Sequence, residues 1–178
     1  MVIVAAVTGL RKSEVVGLKW VDIDFEHSTL YVRRSVVDGR IGPPKTQASK
    51  LALPLSPALA YALNQWRQQT SYSKPEDWVF ASPIQLGQMP YWASAVLEKL
   101  IRPAALDAGI TKHIGWHTYR RSVATWLVSN GETVKTAQEL LRDASPTMTL
   151  GTYAQAIDES KHVAQGRITE ALGLAIPA

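Results

Sequence analysis

The stretch Trp116-His117-Thr118-Tyr119-Arg120-Arg121-Ser122-Val123-Ala124-Thr125-Trp126-Leu127-Val128-Ser129-Asn130-Gly131 decides how the rest of the chain is read. Its apolar residues recur at helical spacing, and Gly131 supplies a C-terminal stop, so a helix over Trp116–Asn130 is expected. His117 and Arg120 stand three apart and share one helix face, which continues through the apolar Ala124 and Leu127. That puts Arg120 at the edge of a core stripe, where a guanidinium is costly unless an anion or a carboxylate meets it. A side chain that snorkels outward, or that pairs with Glu14 or Asp143, satisfies the same constraint.

Working outward, Thr133–Arg142 reads as a further helix with Val134, Ala137, Leu140 and Leu141 on one stripe. Ser145-Pro146 then opens a short helix ending near Tyr153, and Asp158–Leu172 a last one inside a C-terminal helical tail over 158–178. Toward the N-terminus, Tyr91–Ala108 is helical with a kink expected at Pro103, and Gly87 and Pro90 mark a loop. Ser56-Pro57 caps a helix running to about Gln69, and Trp78–Phe80 offers a short strand. Thr29–Val37 is a β-rich run, Asp38-Gly39 a hairpin turn, and Leu51–Leu55 a return strand, with Lys45 on the approach to it. Met1–Val7 suits a buried helix that Thr8-Gly9 ends. Ser13–Leu18 suits a second, with Glu14 favourably placed in its first turn and Arg11 at the corner between the two. The expected fold is therefore mainly α with a small antiparallel β-sheet, an α+β arrangement in one domain over 1–178.

Composition narrows the function classes. The 178 residues are 46% apolar and 19% charged, an ordinary globular balance, and no cysteine is present, which removes disulfides, thiolate metal sites and a cysteine nucleophile. Met1–Val7 is too short for a bilayer span and lacks a basic leader, so a cytoplasmic protein without membrane attachment is expected. Nineteen Lys and Arg against fifteen Asp and Glu leave a net charge of +4, unevenly spread. Arg33, Arg34, Arg40, Lys45 and Lys50 face only Asp38 within 31–50, and Lys112, His113, His117, Arg120 and Arg121 form a second basic stretch without acids. Two such segments can converge on one polyanion or be two solvated faces. The four histidines, His27, His113, His117 and His162, are scattered, and no tight carboxylate cluster accompanies them, so no metal site and no cofactor is expected.

Taken in order, Thr8 to Glu14, Pro44-Lys45-Thr46 before Leu53-Pro54-Leu55, His117 to Arg120, Leu140 to Ala144 and Thr152-Tyr153 resemble the tyrosine recombinase, or phage integrase, family across nearly the whole chain. The resemblance implies the family's catalytic-domain fold, the DNA breaking-rejoining fold. It implies strand exchange on double-stranded DNA through a covalent 3′-phosphotyrosine, with neither ATP nor metal. The matching positions are Arg11, Lys45, His117, Arg120 and Tyr153 as catalytic residues, and Arg11, Lys45, Arg120 and Arg121 as DNA-binding ones. Arg11 and Arg120 would hold the non-bridging phosphate oxygens, Lys45 would protonate the leaving 5′-oxygen, His117 would assist as base or hydrogen-bond partner, and Tyr153 would attack.

Two departures accompany the match. Asp143 occupies the family's His or Trp position, where an acceptor-only carboxylate repels phosphate or is neutralised by Arg120 or Arg142. The chain also has nothing matching the family's N-terminal DNA-clamping domain, and its catalytic domain reads as N-terminally truncated. The expectation is thus a site-specific recombinase, tetrameric on DNA and monomeric without it. A catalytically weakened DNA-binding remnant is the alternative, and a type IB topoisomerase a distant third.

Overall fold

In the computed structural model, residues 1–46, 48 and 51–142 are described. Two short helices open the chain, α1 (Val2–Thr8) and α2 (Lys12–Val16), and a 3₁₀ turn at Trp20–Asp22 leads into β1 (Ile23–Asp24). Then follow β2 (Thr29–Leu30), β3 (Ser35–Val37), β4 (Arg40–Gly42), β5 (Leu53–Pro54) and α3 (Pro57–Gln69). The remaining described helices are α4 (Ala93–Val96), α5 (Arg102–Asp107), α6 (Trp116–Ser129) and α7 (Val134–Leu141). The mainly helical α+β architecture expected from the sequence is the one observed.

Helix ends follow their caps. Ser56 Oγ accepts from the Leu59 N–H and Pro57 opens α3, while Thr133 Oγ1 accepts from the Thr136 N–H at the start of α7. At the end of α6 the Glu132 N–H reaches Leu127 O and the Gly131 N–H reaches Val128 O, the paired bonds of a Schellman closure. The indole N–H of Trp116 donates to Ala93 O at 2.8 Å and fixes the start of α6 against α4.

The β region departs from expectation. Thr29–Val37 is not one strand: β2 pairs with β1 and β5 in a three-stranded antiparallel sheet, whereas β3 pairs with β4 in a separate hairpin. The break falls where Arg34 is drawn backward, its guanidinium donating to both Asp22 carboxylate oxygens (2.5 and 3.2 Å) and to Gly17 O (3.2 Å). Asp22 is fully buried, so its charge requires that partner and the ladder yields to it. The hairpin turn at Asp38-Gly39 has φ of 48° and 76°, the positive pair that a tight two-residue turn demands.

Trp78–Phe80 forms no strand either. The Val79 N–H goes to Leu18 O, Val79 O accepts the Trp66 indole, and Phe80 O accepts the Tyr91 N–H, so three elements share what one ladder would have used. Between α4 and α5 the backbone widens into a π-helical turn over Leu97–Ile101. That turn lies just before Pro103, whose missing N–H and ring are incompatible with an uninterrupted ladder. Nor is α1 buried all round: Val4, Ala5 and Thr8 face inward while Val2, Ile3 and Val7 are exposed.

The apolar interior divides in two. A main core gathers α1, α2, the sheet, α3 and the Trp78–Ala81 stretch around Trp20, and a smaller one joins α6 to α7 through Ala124, Leu127, Val128, Ala137 and Leu141. Helix α1 packs on α6 and so links them. The polar groups described next lie along that junction.

Candidate functional site

Gly9 ends α1 with φ 63°, and this left-handed residue pivots the chain directly into α2. The pivot places Arg11 at the N-cap of α2 and Glu14 in its first turn. Glu14 is 1% exposed, and its carboxylate is fully used. Oε2 accepts from the Arg11 backbone N–H at 3.0 Å and from Arg142 Nη2 at 2.7 Å, while Oε1 accepts from Arg11 Nη1 at 3.2 Å. The acid near Arg11 thus orients that arginine, one of the roles its spacing suggests.

Arg120 arrives from the middle of α6. Its Nη1 donates to Gly9 O at 2.7 Å and its Nη2 to Leu141 O at 2.5 Å, so one guanidinium meets the carbonyl ends of both α1 and α7. Each is a helix C-terminus, where the partial negative charge of the backbone favours a cation. Two of its acceptors are therefore backbone carbonyls, and Asp143, one of the partners that the sequence offered, lies outside the described residues.

Arg142 was not anticipated as a site residue. It follows α7 in a left-handed conformation, φ 53° and ψ 45°, and is 1% exposed. A non-glycine residue there costs about 1 kcal/mol, offset by its charge-assisted bond to Glu14. Burial pulls the Arg142 guanidinium below its ordinary pKa, Glu14 opposes this, and the neighbouring charges of Arg120 and Arg11 add to the lowering. Arg142 therefore lies within the fields of both Arg11 and Arg120 and shares the buried Glu14 carboxylate with Arg11. The available signal was an arginine, not a glycine, at the end of the apolar stripe of α7.

Of the predicted set the structure brings Arg11 and Arg120 together. His117, on the first turn of α6, and Lys45, on the loop after β4, are exposed and take no part in the bonds just given. Arg121 is exposed on the adjoining face of α6, where it lines a shallow cleft with His113, Thr118 and Trp126. Tyr153, Asp143 and the 158–178 tail lie outside the described residues. Among the described residues no three His, Asp or Glu side chains gather as a metal site, and no helix is long and apolar enough to cross a membrane.

Comparison with known proteins agrees with this architecture. The phage integrase family model matches residues 1–160. An integrase/recombinase of Escherichia coli is 30% identical over 168 residues, covering 79% of this chain and 50% of that protein. A tyrosine recombinase XerC of Pediococcus pentosaceus is 31% identical over 153 residues, covering 80% and 44%. Among solved structures, the Tn1549 transposon integrase in complex with circular intermediate DNA superposes with a TM-score of 0.74 at 24% identity, covering 94% of this chain and 58% of that one. XerA recombinase superposes with a TM-score of 0.63 at 24% identity, covering 84% and 50%. These likenesses show that the chain shares the fold of those recombinase structures. The chain belongs to the phage integrase family, and it spans about half the length of the relatives it matches.

Proposed function

We propose that this chain is the catalytic portion of a site-specific recombinase that cleaves and rejoins double-stranded DNA. The observation that carries the reading is the convergence of Arg11 and Arg120, far apart in sequence, on the junction around Glu14 and Gly9. Attack by the Tyr153 phenol oxygen on a backbone phosphorus forms a phosphotyrosine and releases the 5′-oxygen. Lys45 gives that oxygen a proton, and the phenol proton passes to His117 or water. Negative charge rising on the non-bridging oxygens is met by Arg11 and Arg120. The freed 5′-hydroxyl of a partner strand reverses the step, so phosphoester energy is conserved and no ATP is consumed. Asp143, at the position that the family resemblance assigns to His or Trp, lowers the rate by repelling that charge.

Arg121 and the exposed Lys45 add backbone contacts that hold the duplex. On DNA the protein acts as a tetramer, in the cytoplasm with its substrate, and without DNA it is a monomer. A second reading, a DNA-binding module without turnover, draws on the engagement of both terminal nitrogens of Arg120 by backbone carbonyls.

One experiment separates the two. The protein is incubated with nicked duplexes of randomised sequence, and covalent adducts are sought on a denaturing gel beside Tyr153→Phe. An adduct that the Phe substitution abolishes establishes the recombinase chemistry, an adduct that persists removes Tyr153 as nucleophile, and retarded DNA without adduct establishes the binding module.

A further inference from the structure

Protonation of a leaving oxygen requires the Lys45 ammonium within hydrogen-bond reach of that atom. Lys45 nonetheless lies beyond the last rung of the β3–β4 hairpin, the pair Ser35 and Gly42. The two residues between that rung and Lys45 are Pro43 and Pro44, and neither has a backbone N–H with which to extend a ladder. On the backbone of this pair only a carbonyl can be held, and Ser35 holds one: its Oγ donates to Pro43 O at 3.0 Å.

The two prolines supply the stiffness that a ladder would have given. Their rings fix φ at both positions, and a proline at 44 also confines Pro43 to extended backbone. A short, semi-rigid arm therefore runs from Gly42 to Lys45, with Pro44 buried and Lys45 exposed. Such an arm carries the direction of its root to its tip, and Ser35 acts at the root. The root is itself anchored. Arg34, the residue before Ser35, donates to Gly17 O at 3.2 Å and to the buried Asp22 carboxylate. A Cβ on Gly17 would come within 2.8 Å of Arg34 O, so the chain entering β3 is pressed against the C-terminal end of α2. The same helix has Arg11 at its N-cap. Arg11 and Lys45 thus take their places from one helix, the first directly and the second through Arg34, Ser35 and the prolines.

We propose that Ser35 is a positioning residue for proton transfer from Lys45: its hydrogen bond to Pro43 O aims the Pro43-Pro44 arm, and so places the Lys45 ammonium at the leaving 5′-oxygen. The proposal rests on the strand-cleavage reading above. In the step it serves, the Tyr153 oxygen forms a bond to phosphorus and the bond from phosphorus to the 5′-oxygen breaks. Its electron pair passes to that oxygen, which takes a proton from Lys45. Ser35 acts through Pro43 and Lys45, and not on the phosphate.

The test compares rates of covalent adduct formation by the full chain on two pools of nicked duplexes with randomised flanks. One pool has oxygen and the other sulfur bridging the scissile phosphorus to the 5′-carbon. A thiol is far more acidic than an alcohol and leaves as thiolate without a proton, so the sulfur pool reports every part of the step except the proton donor. Lys45→Ala defines the signature: slow on oxygen, and restored on sulfur to within about twofold of the parent. Ser35→Val deletes the hydroxyl in a residue that suits a strand, and is expected to be about tenfold slower than the parent on oxygen but within about twofold of it on sulfur. Ser35→Thr, the same shape with the hydroxyl kept, remains within about twofold of the parent on both pools.

A merely structural role for Ser35 slows both pools alike. That result, with folding verified by thermal unfolding, overturns the proposal, as does a Ser35→Val variant as fast as the parent on oxygen or a Ser35→Thr variant as slow as Ser35→Val. If Lys45→Ala is not restored by sulfur, Lys45 is not the proton donor and Ser35 has nothing to aim. If the parent forms no adduct on either pool, the strand-cleavage reading fails and this proposal with it.

Discussion

Glu14 is the residue on which the most depends. Its carboxylate carries three charge-assisted or backbone bonds in a site closed to water, and removing its charge takes a buried counter-ion from Arg11 and Arg142 alike. Glu14→Gln is expected to lower the stability of the chain by about 3 kcal/mol, measured by urea unfolding. By contrast Asp24, half-buried and paired with the exposed His27, should tolerate Asn with little change in the midpoint of urea unfolding. At Tyr119, packed against Trp116, burial raises the phenol above its ordinary value of 10.0. The unfolded chain then loses that proton first, so its contribution to stability is present below pH 10 and declines as pH rises through the raised value. Tyr119→Phe should remove that part of the alkaline decline, read by unfolding at graded pH. Much of this chemistry was visible in the sequence. The spacing of Arg11 and Glu14 announced an oriented arginine, and the helix register of Arg120 required a partner for it. Arg142 was not visible, because its partner lies 128 positions away and no periodicity reports an ion pair of that span.

Helices proved readable where their own ends carry the signal. Ser56-Pro57, Thr133 and Gly131 set the limits of α3, α6 and α7 to within a residue or so of expectation, since caps act on the backbone next to them. The strands were less so. The interruption between β2 and β3 arises from Asp22 capturing Arg34, and the apolar Trp78–Phe80 stretch is buried without joining a ladder; both outcomes depend on tertiary partners. The turn between α1 and α2 yields a sharp expectation. A Cβ on Gly9 would meet Leu141 Cδ2 at 2.5 Å, and φ there is 63°. Gly9→Ala should therefore cost about 2 kcal/mol, part backbone strain and part displacement of α7, with the cost reduced when Leu141→Ala is added. A double-mutant cycle in thermal unfolding measures that coupling.

As a whole the chain carries +4, with one basic stretch of sequence over Arg33, Arg34, Arg40, Lys45 and Lys50 and another over Lys112, His113, His117, Arg120 and Arg121. Arg120 and Arg142 are spent on internal bonds, leaving Lys45 and Arg121 among the exposed cations. Binding to a random duplex is expected to weaken steeply with salt, and Arg121→Ala should reduce the slope of log affinity against log salt by about 1 while weakening all sequences alike. Fluorescence anisotropy at graded sodium chloride checks both. An unchanged slope would remove Arg121 from the interface.

The two carbonyls held by Arg120 close α1 and α7, which both pack on α6 and meet each other where Gly9 faces Leu141. A single planar cation thereby acts as a rivet at the meeting of three helices, and neither α1 nor α7 can swing without surrendering a bond on which the other relies. Amide exchange near Gly9 and Leu141 should consequently rise in concert when that rivet is drawn, so local opening in this molecule spreads sideways between helices sooner than it travels along any one of them.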